Sequence, residues 1–129
     1  MSTADSLAAQ LEAARLRWVS LAEEGAATSP EVQIETPSQF RAWRLLDALK
    51  ASDGDAITDL LVPMARDWRG ISQADLQGPA VGSSDAAPFS LRLFKLALSD
   101  RPTWVTRLAM EAVKAAKEAA DRLKAATGN

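Results

Sequence analysis

The chain has 129 residues, 47% apolar and 25% charged, with 15 basic against 17 acidic side chains and a net charge near −2. Such a composition suits one globular domain with its own core, and so even a balance gives no general attraction to nucleic acid or to an anionic membrane. Cys, His and Tyr are absent, which removes disulfides, thiolate and imidazole metal ligands, the usual general base and every Ser-His or Cys-His pair.

A non-enzymatic protein without cofactor or metal is therefore expected. Much of the apolar fraction is alanine, so the core is smaller than the percentage suggests. No apolar run approaches the ~18–20 residues that cross a bilayer. The opening Met1-Ser2-Thr3-Ala4-Asp5 has neither the positive flank nor the apolar block of a secretory signal. An intracellular site without membrane contact is the expectation.

Residues 3–24 form the first predicted helix. Leu7, Leu11, Ala14, Trp18 and Leu21 recur at spacings of four, three, four and three, a heptad-like stripe suited to packing on the domain or on another subunit. Residues 25–30 read as a loop. Val32-Gln33-Ile34-Glu35 alternates as one short strand. Thr36-Pro37-Ser38-Gln39 then predicts a helix start, with Thr36 as cap, Pro37 at the first turn and Gln39 completing a capping box. That helix is expected to turn Phe40, Trp43, Leu46 and Leu49 inward.

After Ser52-Asp53-Gly54-Asp55, the positions Ile57, Leu60, Leu61, Met64, Ala65 and Trp68 fit a helix over residues 55–69, bent by Pro63 and stopped at Gly70. Residues 71–88 are polar and turn-rich, with room for a small hairpin using Ile71 and Val81, and are the predicted mobile segment. Ser90 caps a short helix carrying Leu91, Phe94 and Leu98. Arg101-Pro102 breaks it, and a last helix runs from Pro102 to about Ala126. Its first half carries Trp104, Val105, Leu108 and Ala112. Its second half is alanine and charge, with Lys114–Glu118, Lys117–Asp121 and Glu118–Arg122 at pairing distance along the helix.

Three other groupings have plainer readings. Asp53, Asp55 and Asp59 lack the closing Glu of a calcium loop and read as cap and first-turn charges. Arg41 and Arg44 flank Trp43, and Arg66 and Arg69 flank Trp68, a pattern that single-stranded nucleic acid can use. Both tryptophans fall on apolar stripes, however, so nucleic acid is not the expected partner. Ser83-Ser84 has neither the lysine nor the strand of a phosphate loop.

The fold expected is mainly α, one domain of about five helices with a minor β pairing at Val32, Ile34 and Ile71. The predicted core comprises Trp18, Phe40, Trp43, Leu46, Leu60, Leu61, Met64, Trp68, Phe89, Phe94, Trp104 and Leu108. Residues 1–30 form an N-terminal helix and loop, 31–113 the central unit, and 114–129 an alanine- and charge-rich helix end.

The order of these elements resembles the tail assembly chaperones of siphophages and related prophages. The matching pieces are the short strand leading to Thr36-Pro37, the step Trp68-Arg69-Gly70-Ile71, and the helix start Pro88-Phe89-Ser90, over roughly residues 31–113. The chain differs from that pattern in its longer loop at 72–87 and in Leu91, where proline is frequent. The resemblance implies a protein that binds the apolar, helix-rich tape measure protein in the cytoplasm of the bacterial host and leaves the finished particle. Self-association is a further expectation. The partner surface is expected on the last helix, around Ala112, Ala116, Ala119 and Leu123, or on the face from Leu11 to Trp18. The alternatives are a tail or head–tail connector subunit retained in the virion, and a small host-directed regulatory adaptor.

Overall fold

A computed structural model describes residues 2–23, 29–78 and 80–127. Among them are six α-helices and a three-stranded antiparallel sheet: α1 (Thr3–Ala14), β1 (Leu16–Ser20), β2 (Glu31–Glu35), α2 (Gln39–Lys50), α3 (Gly54–Leu61), β3 (Ala65–Arg69), α4 (Gln73–Gln77), α5 (Leu91–Ser99) and α6 (Pro102–Ala126). The chain is thus mainly α with minor β pairing, as expected. The predicted loop at 25–30 falls largely outside the described residues. No described helix is long and apolar enough to cross a membrane.

The sheet is larger than expected, for a reason visible in β2. Val32 and Ile34 are fully buried, and a buried strand must satisfy its N–H and C=O groups on both edges. It takes β1 on one side and β3 on the other. Val19 lies opposite Val32, and Val32 opposite Trp68, so one apolar row crosses the sheet on its inner face. The predicted first helix accordingly ends at Ala14. No residue of α1 is buried, and Trp18 belongs to β1, where it is half-buried.

The predicted helix over 55–69 divides as well. Pro63 cannot donate to a helical ladder, and α3 gives way to a 3₁₀ turn at Val62–Met64 and then to β3. The helix-like spacing of Ala65 and Trp68 comes from a bulge. Gln33 pairs with Asp67 and Ile34 with Ala65, leaving Arg66 as the extra residue. With that insertion, two positions three apart face the same side of a strand. Gly70 therefore stops a strand and not a helix. Its φ is +71°, and a Cβ there would stand 2.5 Å from the Ser29 carbonyl oxygen.

Trp68 joins the sheet to the helices. Its ring meets Phe89 and Phe94 edge-on at centroid distances of 5.5 and 6.5 Å, and its indole N–H donates to the Ala87 carbonyl at 2.8 Å. The segment from Ile71 to Ala87 is held by backbone bonds from Ala87, Gln73 and Ala74 to Ile71, Asp85 and Ser83. Ile71 is buried and an antiparallel bridge joins Ser72 to Ala86, so the expected small hairpin forms in part, with residues 85–87 in place of the exposed Val81 and the short capped helix α4 between its arms.

Helix α2 packs on α6 with a frame offset from the expected one. Ala42, Leu45 and Ala48 are inward, while Phe40 and Trp43 are 65% and 60% exposed and Leu46 lies at the surface. The cause is the opposing helix, whose buried side includes Ala109, Ala112, Ala115 and Ala116. Two small-residue faces allow a close approach that indole and phenyl groups would block. Helices α5 and α6 fall where expected, with Ser90 capping Leu93. Asp53 caps α3 through the Ala56 N–H at 3.1 Å, in keeping with its plainer reading.

The frame of α2 can be tested by paired truncations in urea unfolding. Leu45→Ala should lower stability by ~2–5 kcal/mol, and Trp43→Ala should change it by no more than ~0.5 kcal/mol. A larger loss at Trp43 than at Leu45 would restore the original frame.

Candidate partner-binding cleft

Helix α1 ends at Ala14, and the residue that follows it meets the chain that leaves β2. The Arg15 carbonyl accepts from the Thr36 N–H at 2.7 Å and from the Thr36 hydroxyl at 3.0 Å. Thr36 is therefore not the cap of α2. That role falls to Ser38, which accepts from the Arg41 N–H at 3.2 Å. Gln39, expected to close a capping box, instead donates its amide to the Ala116 carbonyl at 2.8 Å. Thr36 and Gln39 thus tie the end of α1 and the side of α6 to the start of α2 around the turn at Pro37, which is itself buried.

Helix α6 continues past this junction. Its buried residues stop at Ala116, yet it runs on to Ala126, nearly three further turns. None of the three pairs expected within its second half is among the ion pairs of the described residues; Glu118 instead reaches across to Arg17 of β1 at 3.5 Å. Between the end of α1 and this extension lies an open cleft of about 720 Å³. Thr36 to Gln39 form its floor. Leu11 and Ala14 stand on one wall and Ala119, Ala120 and Leu123 on the other, with Arg15, Arg122 and Lys124 among the lining.

The sequence-predicted surface residues divide cleanly. Leu11, Ala119 and Leu123 come together in this cleft, with Leu11 55% and Leu123 68% exposed. Ala112 and Ala116 do not reach a surface, since both are buried in the seam. Trp18 is separated from Leu11 by the start of β1. It faces outward on the sheet, with the Arg69 guanidinium stacked 3.9 Å from its ring centroid. Arg69 also pairs with Glu31 at 3.0 Å, and Arg66 pairs with Glu35. The arginines flanking Trp68 are thus engaged by carboxylates of β2. Trp18 borders a second groove, of about 790 Å³, with Thr106, Arg107, Met110 and Glu111.

Sequence reasoning missed the parts that build the cleft. Arg15, Thr36 and Gln39 act through contacts distant in the chain, and their local pattern was that of an ordinary helix start. Exposed Phe40 and Trp43, 6.3 Å apart at their centroids, form a separate aromatic pair on α2; their inward assignment is corrected by the seam with α6.

The two alanines of the expected surface should now behave differently. Ala116→Arg, at 1% exposure, should unfold the domain or lower its stability by several kcal/mol, as overpacking and burial of a charge demand. Ala119→Arg should leave the circular dichroism spectrum and the unfolding midpoint nearly unchanged. Equal tolerance at both positions would contradict the packing of α6. The cleft stands on its geometry, since comparisons with protein-family models, curated proteins and solved structures find no match.

Proposed function

We propose that this chain is a tail assembly chaperone of the siphophage and prophage type, which binds the tape measure protein in the host cytoplasm through the cleft between α1 and α6. The observation that carries the reading is the convergence of Leu11, Ala119 and Leu123 on one open groove. Apolar walls supplied by two helix ends suit the helix-in-groove mode, in which a third helix lays its apolar face against the pair. The groove is shallow and partly polar, and such an interface can shield an apolar helix and release it when the tail tube forms.

The element order supports the same reading. A short strand leads through Thr36-Pro37 to the helix pair α2 and α3. Trp68-Arg69-Gly70-Ile71 ends the sheet, and Pro88-Phe89-Ser90 opens α5 ahead of a helical C-terminal region.

Co-expression with the tape measure protein from the same phage or prophage tests the proposal. The chain should raise the solubility of that protein and co-purify with it. The double variant Leu11→Asp with Leu123→Asp, both at exposed positions, should weaken the complex by about tenfold or more while keeping the helical content. A tape measure protein that still precipitates, with nothing co-eluting, would overturn the proposal. Recovery of the chain from purified virions would favour the retained structural subunit.

A further inference from the structure

The charge of the cleft differs from that of the molecule. The whole chain is slightly acidic, at −2. The cleft lining nevertheless contains Arg15, Arg122 and Lys124 and not one carboxylate. All three side chains are exposed. The four ion pairs among the described residues, Arg17–Glu118, Arg66–Glu35, Arg69–Glu31 and Lys95–Asp59, use none of them. Glu12 and Asp121 sit on the same two helices but outside the lining. The groove beside Trp18 lacks this bias, because Arg107 and Glu111 both line it.

Cations beside apolar walls specify what the cleft will accept. We propose that the cleft selects an amphipathic helix whose apolar stripe is bordered by Asp or Glu, presented by the protein it binds. This specification rests on the reading of the cleft as the tape measure site and adds the chemistry of the segment recognised. Leucines of the incoming helix would cover Leu11, Ala14, Ala119 and Leu123. Its flanking carboxylates would meet Arg15 on one wall and Arg122 and Lys124 on the other. Such complementarity sets orientation and rejects a helix with basic borders, since like charges brought together at an interface are strongly unfavourable. A single-stranded nucleic acid fits less well. The lining has no aromatic side chain on which a base could stack.

Fluorescence anisotropy with two synthetic helical peptides of about five turns tests the proposal. Both carry the same Leu/Ala stripe, bordered by Glu in one and by Lys in the other. The wild-type chain should bind the Glu peptide at least about tenfold more tightly at low salt, and the preference should shrink between about 50 and 300 mM salt. The triple variant Arg15→Glu, Arg122→Glu, Lys124→Glu should reverse the preference with an unchanged circular dichroism spectrum. Equal binding of the two peptides, binding of neither, or a preference that survives the triple variant would overturn the proposal. So would tighter binding of a single-stranded DNA oligomer that the triple variant abolishes, or a dimer of the free chain that it dissolves, because each assigns the cleft to another occupant. The tape measure reading fails separately: a chain that discriminates the peptides but does not co-purify with the tape measure protein keeps the specificity and loses that partner.

Discussion

Helix α6 runs unbroken from Pro102 to Ala126, and four of its six buried residues are alanine. That small-residue side fixes how near the other helices can lie. Helices α2, α3 and α5 all contact it, and α2 meets it with alanines of its own at positions 42 and 48. The alanines of both helices narrow the seam, and α2 turns Leu45 inward with them while Phe40 and Trp43 face solvent. The larger residues of the core, Phe94, Ile34, Leu45, Leu61, Leu98 and Leu108, are fully buried around the seam and against the inner face of the sheet. Moving α6 by one residue along its axis would displace its contacts with α2, α3 and α5 together.

The same helix carries the site by outlasting its packing. Beyond Ala116 it has no buried residue, and its last turns persist on the high helix propensity of alanine, lysine and arginine. Gln39 ties the last buried turn to the start of α2, while the two bonds from Thr36 to the Arg15 carbonyl bring in the end of α1. Each bond contributes about 0.5–1.5 kcal/mol, modest beside the core but enough to orient two exposed helix ends. The result is a groove on a rigid base with walls of low packing density, the arrangement in which local adjustment to a partner is least costly.

What the sequence disclosed follows the range of the interactions concerned. Helices α5 and α6 were legible because Ser90, Pro102 and the apolar spacing act within a few residues. The strand at 31–35 was legible from its alternation. Strands β1 and β3 were not, because both imitate a helix. Leu11, Ala14 and Trp18 keep a four-three rhythm across a boundary between helix and strand, and the bulge at Arg66 gives Ala65 and Trp68 a helical interval. Their true state is set by pairing with β2, a contact between distant parts of the chain. Leu11, Ala119 and Leu123 could be found as apolar residues on polar helices. The inaccessibility of Ala112 and Ala116 could not, since an alanine stripe reads the same whether it faces solvent or a second helix.

The most direct measurement of the central claim is hydrogen–deuterium exchange on the complex formed with the tape measure protein. New protection is expected at residues 11–15, 36–39 and 119–124, with the outer face of the sheet around Trp18 and the exposed side of α2 at Phe40 and Trp43 exchanging as in the free chain. Protection confined to Trp18 and Met110, or to Phe40 and Trp43, with the cleft unchanged, would contradict the claim.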